Sequence, residues 1–102
     1  MRIYQQGTVV VSSVTFRDPT TWECVDPGTV QFFYQPGTSP ASDTITWTDA
    51  TTPAVGTIAR LGVGRYKTWI DTSDFLGQTL EQWDATGAYQ AIGASYFLVV
   101  AP

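Results

Sequence analysis

Turn-forming residues interrupt this chain so often that long helices do not fit between them. Asp18-Pro19, Asp26-Pro27-Gly28, Gln35-Pro36-Gly37, Ser39-Pro40, Thr52-Pro53, Gly62-Val63-Gly64, Gly77 and Gly87 punctuate only 102 residues. Proline fixes φ and lacks a backbone donor, and glycine enters conformations closed to other residues, so each cluster ends a regular element. The runs between them suit strands of about five to ten residues. Their content agrees: sixteen threonines, many valines, four Trp, five Tyr and five Phe make a strand-forming composition.

Alternation assigns faces to seven expected strands. Thr8 to Arg17 places Val10, Val14 and Phe16 on one face, interrupted by Ser12, with Val9, Val11 and Thr15 on the other. Apolar residues on both faces near its start predict that this end is covered twice or pairs with a neighbour. Thr29 to Gln35 sets Val30, Phe32 and Tyr34 against Gln31, Phe33 and Gln35. Thr44 to Thr48 puts Ile45 and Trp47 on one side. Thr57 to Leu61 forms a hairpin with Arg65 to Asp71 through Gly62-Val63-Gly64, with Tyr66, Thr68 and Ile70 facing inward. Thr79 to Ala85 has Leu80 on one face and Trp83 and Ala85 on the other. Ser95 to Val100 directs Phe97 and Val99 one way and Tyr96, Leu98 and Val100 the other. Around Ser73 to Trp83 a helical spacing competes, but Gly77 costs about 0.8–1 kcal/mol inside a helix, which leaves one helical turn over Asp74 to Leu76. Seven short strands with turns about every 8–12 residues predict an all-β sandwich, one domain over 1–102, with 1–7 as an N-terminal arm.

Charge limits the partners. Lys plus Arg total 5 and Asp plus Glu total 9, a net charge of −4, and charged residues are only 14% of the chain. An acidic surface repels phosphate, so neither nucleic acid nor an anionic membrane surface is expected as a partner. No apolar run reaches the roughly 20 residues of a membrane span, and Arg2-Ile3-Tyr4-Gln5-Gln6-Gly7 has none of the character of a secretory signal.

Catalytic chemistry finds little material. There is no histidine, and Cys24 is the single cysteine, so it has neither a disulfide partner nor an imidazole to activate it. Asp71 and Asp74 are a carboxylate pair in sequence, but Asp71-Thr72-Ser73-Asp74 reads as turn capping. Glu81 and Asp84, three apart on a strand, face opposite ways and do not cooperate. Asp18, Asp26, Asp43 and Asp49 fall at strand ends without the Asp-x-Asp-x-Asp cue of a calcium loop. Gly62-Val63-Gly64 precedes a strand rather than a helix, so it is a hairpin turn and not a phosphate loop. Ser12, Ser13 and Ser95 lack the setting of an activated nucleophile. No catalytic residue, metal or cofactor is expected.

Aromatic and apolar surface offers a second route. Trp22, in the loop after Asp18-Pro19, and Trp69, opposite Tyr66 and Ile70, are the candidates for exposed anchors, against the plainer reading that both cover the core rim. The apolar last strand and Val9 to Val11 supply edges for strand addition.

Gly62-Val63-Gly64-Arg65-Tyr66, Ile70-Asp71-Thr72, Leu76-Gly77, Trp83-Asp84-Ala85-Thr86-Gly87-Ala88 and Phe97-Leu98-Val99 together resemble the small immunoglobulin-like proteins of tailed bacteriophage. Val25-Asp26-Pro27-Gly28-Thr29-Val30 is similar to the way their second strand begins. The likeness spans Val25 to Val99, with little contributed from Gln35 to Ala59. It implies a single immunoglobulin-like β-sandwich of about seven antiparallel strands. The implied role is a non-enzymatic virion component at the capsid surface, head-to-tail junction or tail, in contact with other virion proteins in many symmetric copies. One departure stands out: relatives tend to carry aromatics ahead of the Trp where this chain has Thr79 and Glu81. Either the strand turns Leu80 inward or Glu81 lines a contact. The candidate interface residues are Trp22, Trp69, Val9, Val11, Tyr96, Leu98 and Val100. The competing expectation is a carbohydrate-binding module using Trp22 or Trp69 as platforms.

Overall fold

Eight strands carry the alternation. The computed structural model describes residues 1–37 and 43–102, so the turn expected at Ser39-Pro40 lies outside the described residues. The strands are β1 (Arg2–Gln5), β2 (Val9–Thr15), β3 (Gly28–Gln35), β4 (Asp43–Thr46), β5 (Ile58–Gly62), β6 (Arg65–Asp71), β7 (Gly77–Gly87) and β8 (Ala91–Val100). They form two sheets, ordered β1-β8-β7-β3-β4 and β2-β6-β5, packed as a sandwich. Among the described residues there is no helix.

The inward sides of both sheets make the core. Val10 from β2, Val30 and Phe32 from β3, Tyr66 and Ile70 from β6, Trp83 and Ala85 from β7, and Phe97 and Val99 from β8 are all buried, as the alternation predicts. Phe32 and Trp83 rings lie 4.9 Å apart, and Trp47 meets Tyr66 edge-on at 5.3 Å. Such pairs add about 0.5–1.5 kcal/mol beyond their burial. Ser12, which interrupts the apolar face of β2, has a use there. Its Oγ accepts the indole N–H of Trp83 at 3.0 Å across the two sheets, so the buried donor is satisfied.

Four expectations change and one open choice is decided. The segment 1–7 is not a free arm: Arg2–Gln5 pairs with β8, Arg2 opposite Phe97 and Gln5 opposite Val100. This ladder is parallel, so the strands number eight and are not all antiparallel. Ser73 and Asp74 form a turn rather than a helical one, because Gly77 already belongs to β7. The start of β2 is not covered twice, for Val9 and Val11 remain about two-fifths exposed. Finally, β7 faces the core with Thr79 and Glu81 alongside Trp83 and Ala85, while Leu80 points outward. Glu81 is buried because it has a partner: Arg2 of β1, whose guanidinium also lies over the Tyr4 and Phe97 rings. Its other oxygen, Oε2, has no hydrogen-bond partner among the described residues.

Two latches fix the ends of the sandwich. Thr72, in the corner after β6, donates its hydroxyl to the Thr8 carbonyl at 2.7 Å and accepts the Gly7 amide at 3.0 Å. The aspartate-threonine corner thus holds the turn between β1 and β2. At the opposite end Asp26 grips the β5–β6 hairpin. Its carboxylate takes both Arg60 Nε and Nη2, the Gly64 amide and the Tyr66 hydroxyl, at 2.7–3.1 Å. Gly64 is obligatory there: its φ is +70°, and a Cβ would stand 2.6 Å from the Phe16 carbonyl oxygen.

Candidate interaction surfaces

The outer face of the five-stranded sheet is where the chain's shortage of charge is concentrated. Register places Ile3 of β1 beside Leu98, Leu98 beside Gln78, and Tyr96 beside Leu80. Continuing across the sheet, Leu80 lies beside Gln35, Gln82 beside Phe33, and Phe33 beside Thr44. Paired residues share a face, so these side chains form one surface of apolar and amide groups. Its single charge among the described residues is Asp84, on the central strand β7 between Gln31 and Ile92, whose Oδ1 accepts Gln82 Nε2 at 2.9 Å. Tyr96, Leu98 and Val100 sit on this surface, with Ile3 and Ile92 more exposed than any of the three. Sequence reading missed Ile3 because 1–7 looked like an arm. The signal for the amide rows was present in the period-two spacing of Gln31 and Gln35, and of Gln78, Leu80 and Gln82.

Val9, Val11 and Trp69 lie on the other side of the sandwich, on the outer face of the small sheet. Val11 pairs with Trp69, which also bridges to Val55. Trp69 is half-buried between these aliphatic groups. Asp71 opposite Val9, and Lys67 opposite Ser13, put charge beside this cluster. The residues singled out from sequence therefore do not form one interface.

Trp22 occupies a third position. It is 69% exposed and sits at φ +63°, a left-handed backbone rare for a bulky residue. Its amide donates to the Asp18 carbonyl at 2.8 Å, and the Trp22 carbonyl accepts Arg17 Nη1 at 3.0 Å. The Arg17 guanidinium stands 5.5 Å from its ring. A cleft of about 640 Å³ opens beside it, lined by Phe16, Pro19, Ala88, Tyr89 and Gln90 among others. The Tyr89 hydroxyl donates to Asp18 Oδ2 at 3.3 Å and ties the two walls. The Thr20 and Thr21 amides hold the Asp18 carboxyl below its ordinary value, and the Asp18 charge raises Tyr89. Trp22 and Trp69 thus have separate surroundings.

Several titratable groups have structural partners. Asp71 accepts the Ser73 hydroxyl at 2.6 Å and the Ser73 amide at 2.9 Å, and these bonds lower its pKa. This is the expected cap. Glu81 and Asp84 face opposite ways, as the strand period requires. Asp26 is held down to about 2, chiefly by the Arg60 hydrogen bonds, while burial and then Asp26 push Tyr66 up to about 12. Among the described residues no three His, Cys, Asp or Glu side chains gather in a metal-binding arrangement. Cys24 is half-buried beside Arg17.

No family model, curated protein or solved structure matches this chain.

Proposed function

We propose that this chain is a non-enzymatic structural module of a bacteriophage particle, an immunoglobulin-like sandwich that works through protein–protein contacts. The observation that carries the assembly role is the outer face of the five-stranded sheet, where Asp84 is the one charge among apolar and amide side chains. Interfaces are depleted of charge at their centres and enriched in aromatics, and such a face has that chemistry. The order β1-β8-β7-β3-β4 against β2-β6-β5 supports the immunoglobulin-like reading. β3, β7 and β8 lie in one sheet, as the third, sixth and seventh strands do in the seven-stranded immunoglobulin plan, and β4 is added at its edge. The viral assignment rests on the sequence resemblance, and its site is the capsid surface, head-to-tail junction or tail. Partners are other virion proteins. Neither nucleic acid nor membrane is a partner on this reading, and no cofactor is required.

Quantitative mass spectrometry of particles purified from the phage that encodes the chain tests this reading. Many copies per particle support it; absence from intact particles overturns it.

A carbohydrate-binding role is the alternative, and Trp22 is the observation that favours it. An aromatic ring held exposed over a cleft by Arg17 and Asp18 is a ready stacking platform. Trp69, packed between Val11 and Val55, is the weaker platform. Glycan-array binding that disappears in Trp22→Ala would promote this role, and silence across the array retires it.

A further inference from the structure

We propose that the cleft beside Trp22 is a docking groove for an extended, proline-rich and acidic segment of a partner protein. The proposal deepens the assembly reading by giving one contact a chemistry, and it rests on that reading for its biological setting.

The loop between β2 and β3 is built to display a ring. Arg17 pairs with Cys24, and the Asp18 amide donates to the Glu23 carbonyl at 2.8 Å, which closes a small hairpin over Pro19 to Trp22. Asp18 Oδ1 accepts the Thr20 and Thr21 amides at 2.7 and 3.1 Å and stiffens the first half of this turn. Trp22 takes its last position, at φ +63°. Glycine or asparagine is the ordinary occupant of such a position, because a Cβ is strained there. The chain instead holds a tryptophan, 69% exposed. Strained backbone persists where the surrounding bonds over-determine it, and it gathers at sites that bind. The facing wall is the turn between β7 and β8, with Ala88, Tyr89 and Gln90, so two loops frame the cleft.

Donors, acceptors and charge identify the occupant. Asp18, the carboxylate beside the cleft, is spent on three internal bonds: the two threonine amides and the Tyr89 hydroxyl at 3.3 Å. The indole N–H groups of Trp47 and Trp83 have acceptors within the fold, whereas that of Trp22 has none among the described residues. Arg17 spends Nη1 on the Trp22 carbonyl, and the ion pairs among the described residues engage Arg2 and Arg60 instead. The unspent strong groups are therefore donors, set beside the rings of Phe16, Pro19, Trp22 and Tyr89, and no carboxylate lines the cleft. A sugar hydroxyl donates as well as accepts, so this lining leaves many of its protons without a strong acceptor. A proline-rich segment has the opposite balance. Proline has no N–H, its extended helix leaves the carbonyls unpaired, and its rings pack on aromatic walls. Arg17 is the one charge in the lining, and its guanidinium is held 5.5 Å from the indole ring. A fixed guanidinium fork suits a carboxylate, so the segment carries an acidic residue beside its prolines.

Calorimetric titration of the full chain with capped peptides tests the proposal. The probes are three repeats of Pro-Pro-Glu, three of Pro-Pro-Gln, and three of Gly-Ser-Glu. The first should bind with Kd below about 1 mM, the second at least about fivefold more weakly, and the third not at all. Arg17→Gln should remove the difference between the first two. Trp22→Gly should weaken the first at least about tenfold while holding or raising the melting temperature, since glycine accepts φ +63° without strain. Failure of Pro-Pro-Glu to bind up to about 1 mM overturns the proposal, as does equal binding of Gly-Ser-Glu. Equal binding of Pro-Pro-Gln overturns the acidic preference. A loss of more than about 5 °C in Trp22→Gly makes the ring a part of the core rim and overturns the display argument. Neutral or uronic oligosaccharides that bind where the peptides do not overturn it in favour of the glycan reading. Abundance in particles of a chain that binds no peptide removes this groove and leaves the assembly reading. Peptide binding by a chain missing from particles does the reverse.

Discussion

Removing Arg2 should cost more stability than removing the carboxylate it serves. Glu81 stands among core residues with its side chain only 7% exposed, and Arg2 is its one ion-pair partner among the described residues. Breaking a fully buried pair from one side costs about 3–5 kcal/mol, because the remaining charge is left without compensation. The Arg2 side chain is 42% exposed, so water screens its end of the pair and the expected loss for Arg2→Ala is about 2–3 kcal/mol. In a domain of this size each kcal/mol moves the midpoint by about 4–8 °C, so melting should fall by about 10–20 °C. Glu81→Leu should cost less, since the stranded guanidinium can turn to water while the leucine packs beside Trp83. The double variant Arg2→Met/Glu81→Leu should be neutral or more stable by about 1–4 kcal/mol, as apolar replacements of buried pairs often are. Urea denaturation of the wild type, Arg2→Met, Glu81→Leu and the double variant closes the cycle, with Arg2→Ala measured beside it. The reasoning is refuted if Arg2→Ala loses under about 0.5 kcal/mol, or if Glu81→Leu proves the costlier single change.

Three further outcomes are expected. Ser12→Ala leaves the Trp83 indole N–H buried without an acceptor and should destabilise by about 1–3 kcal/mol, read by urea titration; Trp83→Phe on that background should then add little beyond its lost volume. Trp83→Ala should itself cost about 3–5 kcal/mol, and a loss under 1 kcal/mol would mean that the ring is not core. Asp26 titrates at about 2 in the folded protein against 3.8 for an unperturbed aspartate. Its ionised form therefore stabilises the fold above pH 4, and this contribution is lost as pH falls through 2. Asp26→Asn should lower stability at neutral pH and flatten the acid limb between pH 4 and 2, which a melting series against pH will display.

How far the sequence reached depended on the distance over which each residue's partner lies. Alternation on β3 and β6 needs only neighbours along the chain, and it placed Val30, Phe32, Tyr66, Thr68 and Ile70 inward as the structure does. Glu81 broke the alternation of β7 because its partner is 79 residues away. A charged side chain at an inward position argues for a shifted strand until Arg2 is known to be beside it. Ser12 posed the same puzzle, and Trp83 answers it from the facing sheet. The candidate surfaces divide in a similar way. Tyr96, Leu98 and Val100 were legible as outward apolar residues, but Ile3 joins them only through the parallel pairing of β1 with β8.

The sequence by itself determined that the chain is all-β, where most strands begin and end, and which side of most strands is apolar. These follow from local sterics and a period of two, which need no knowledge of what lies across the core. Tertiary structure alone decided the strand order, the burial of Glu81 against Arg2 and the hub at Asp26. Pairing order and edge exposure depend on contacts far apart in sequence, and no local spacing encodes them. The shortage of charge was visible from composition; its concentration on one outer face became visible only once five strands were placed side by side.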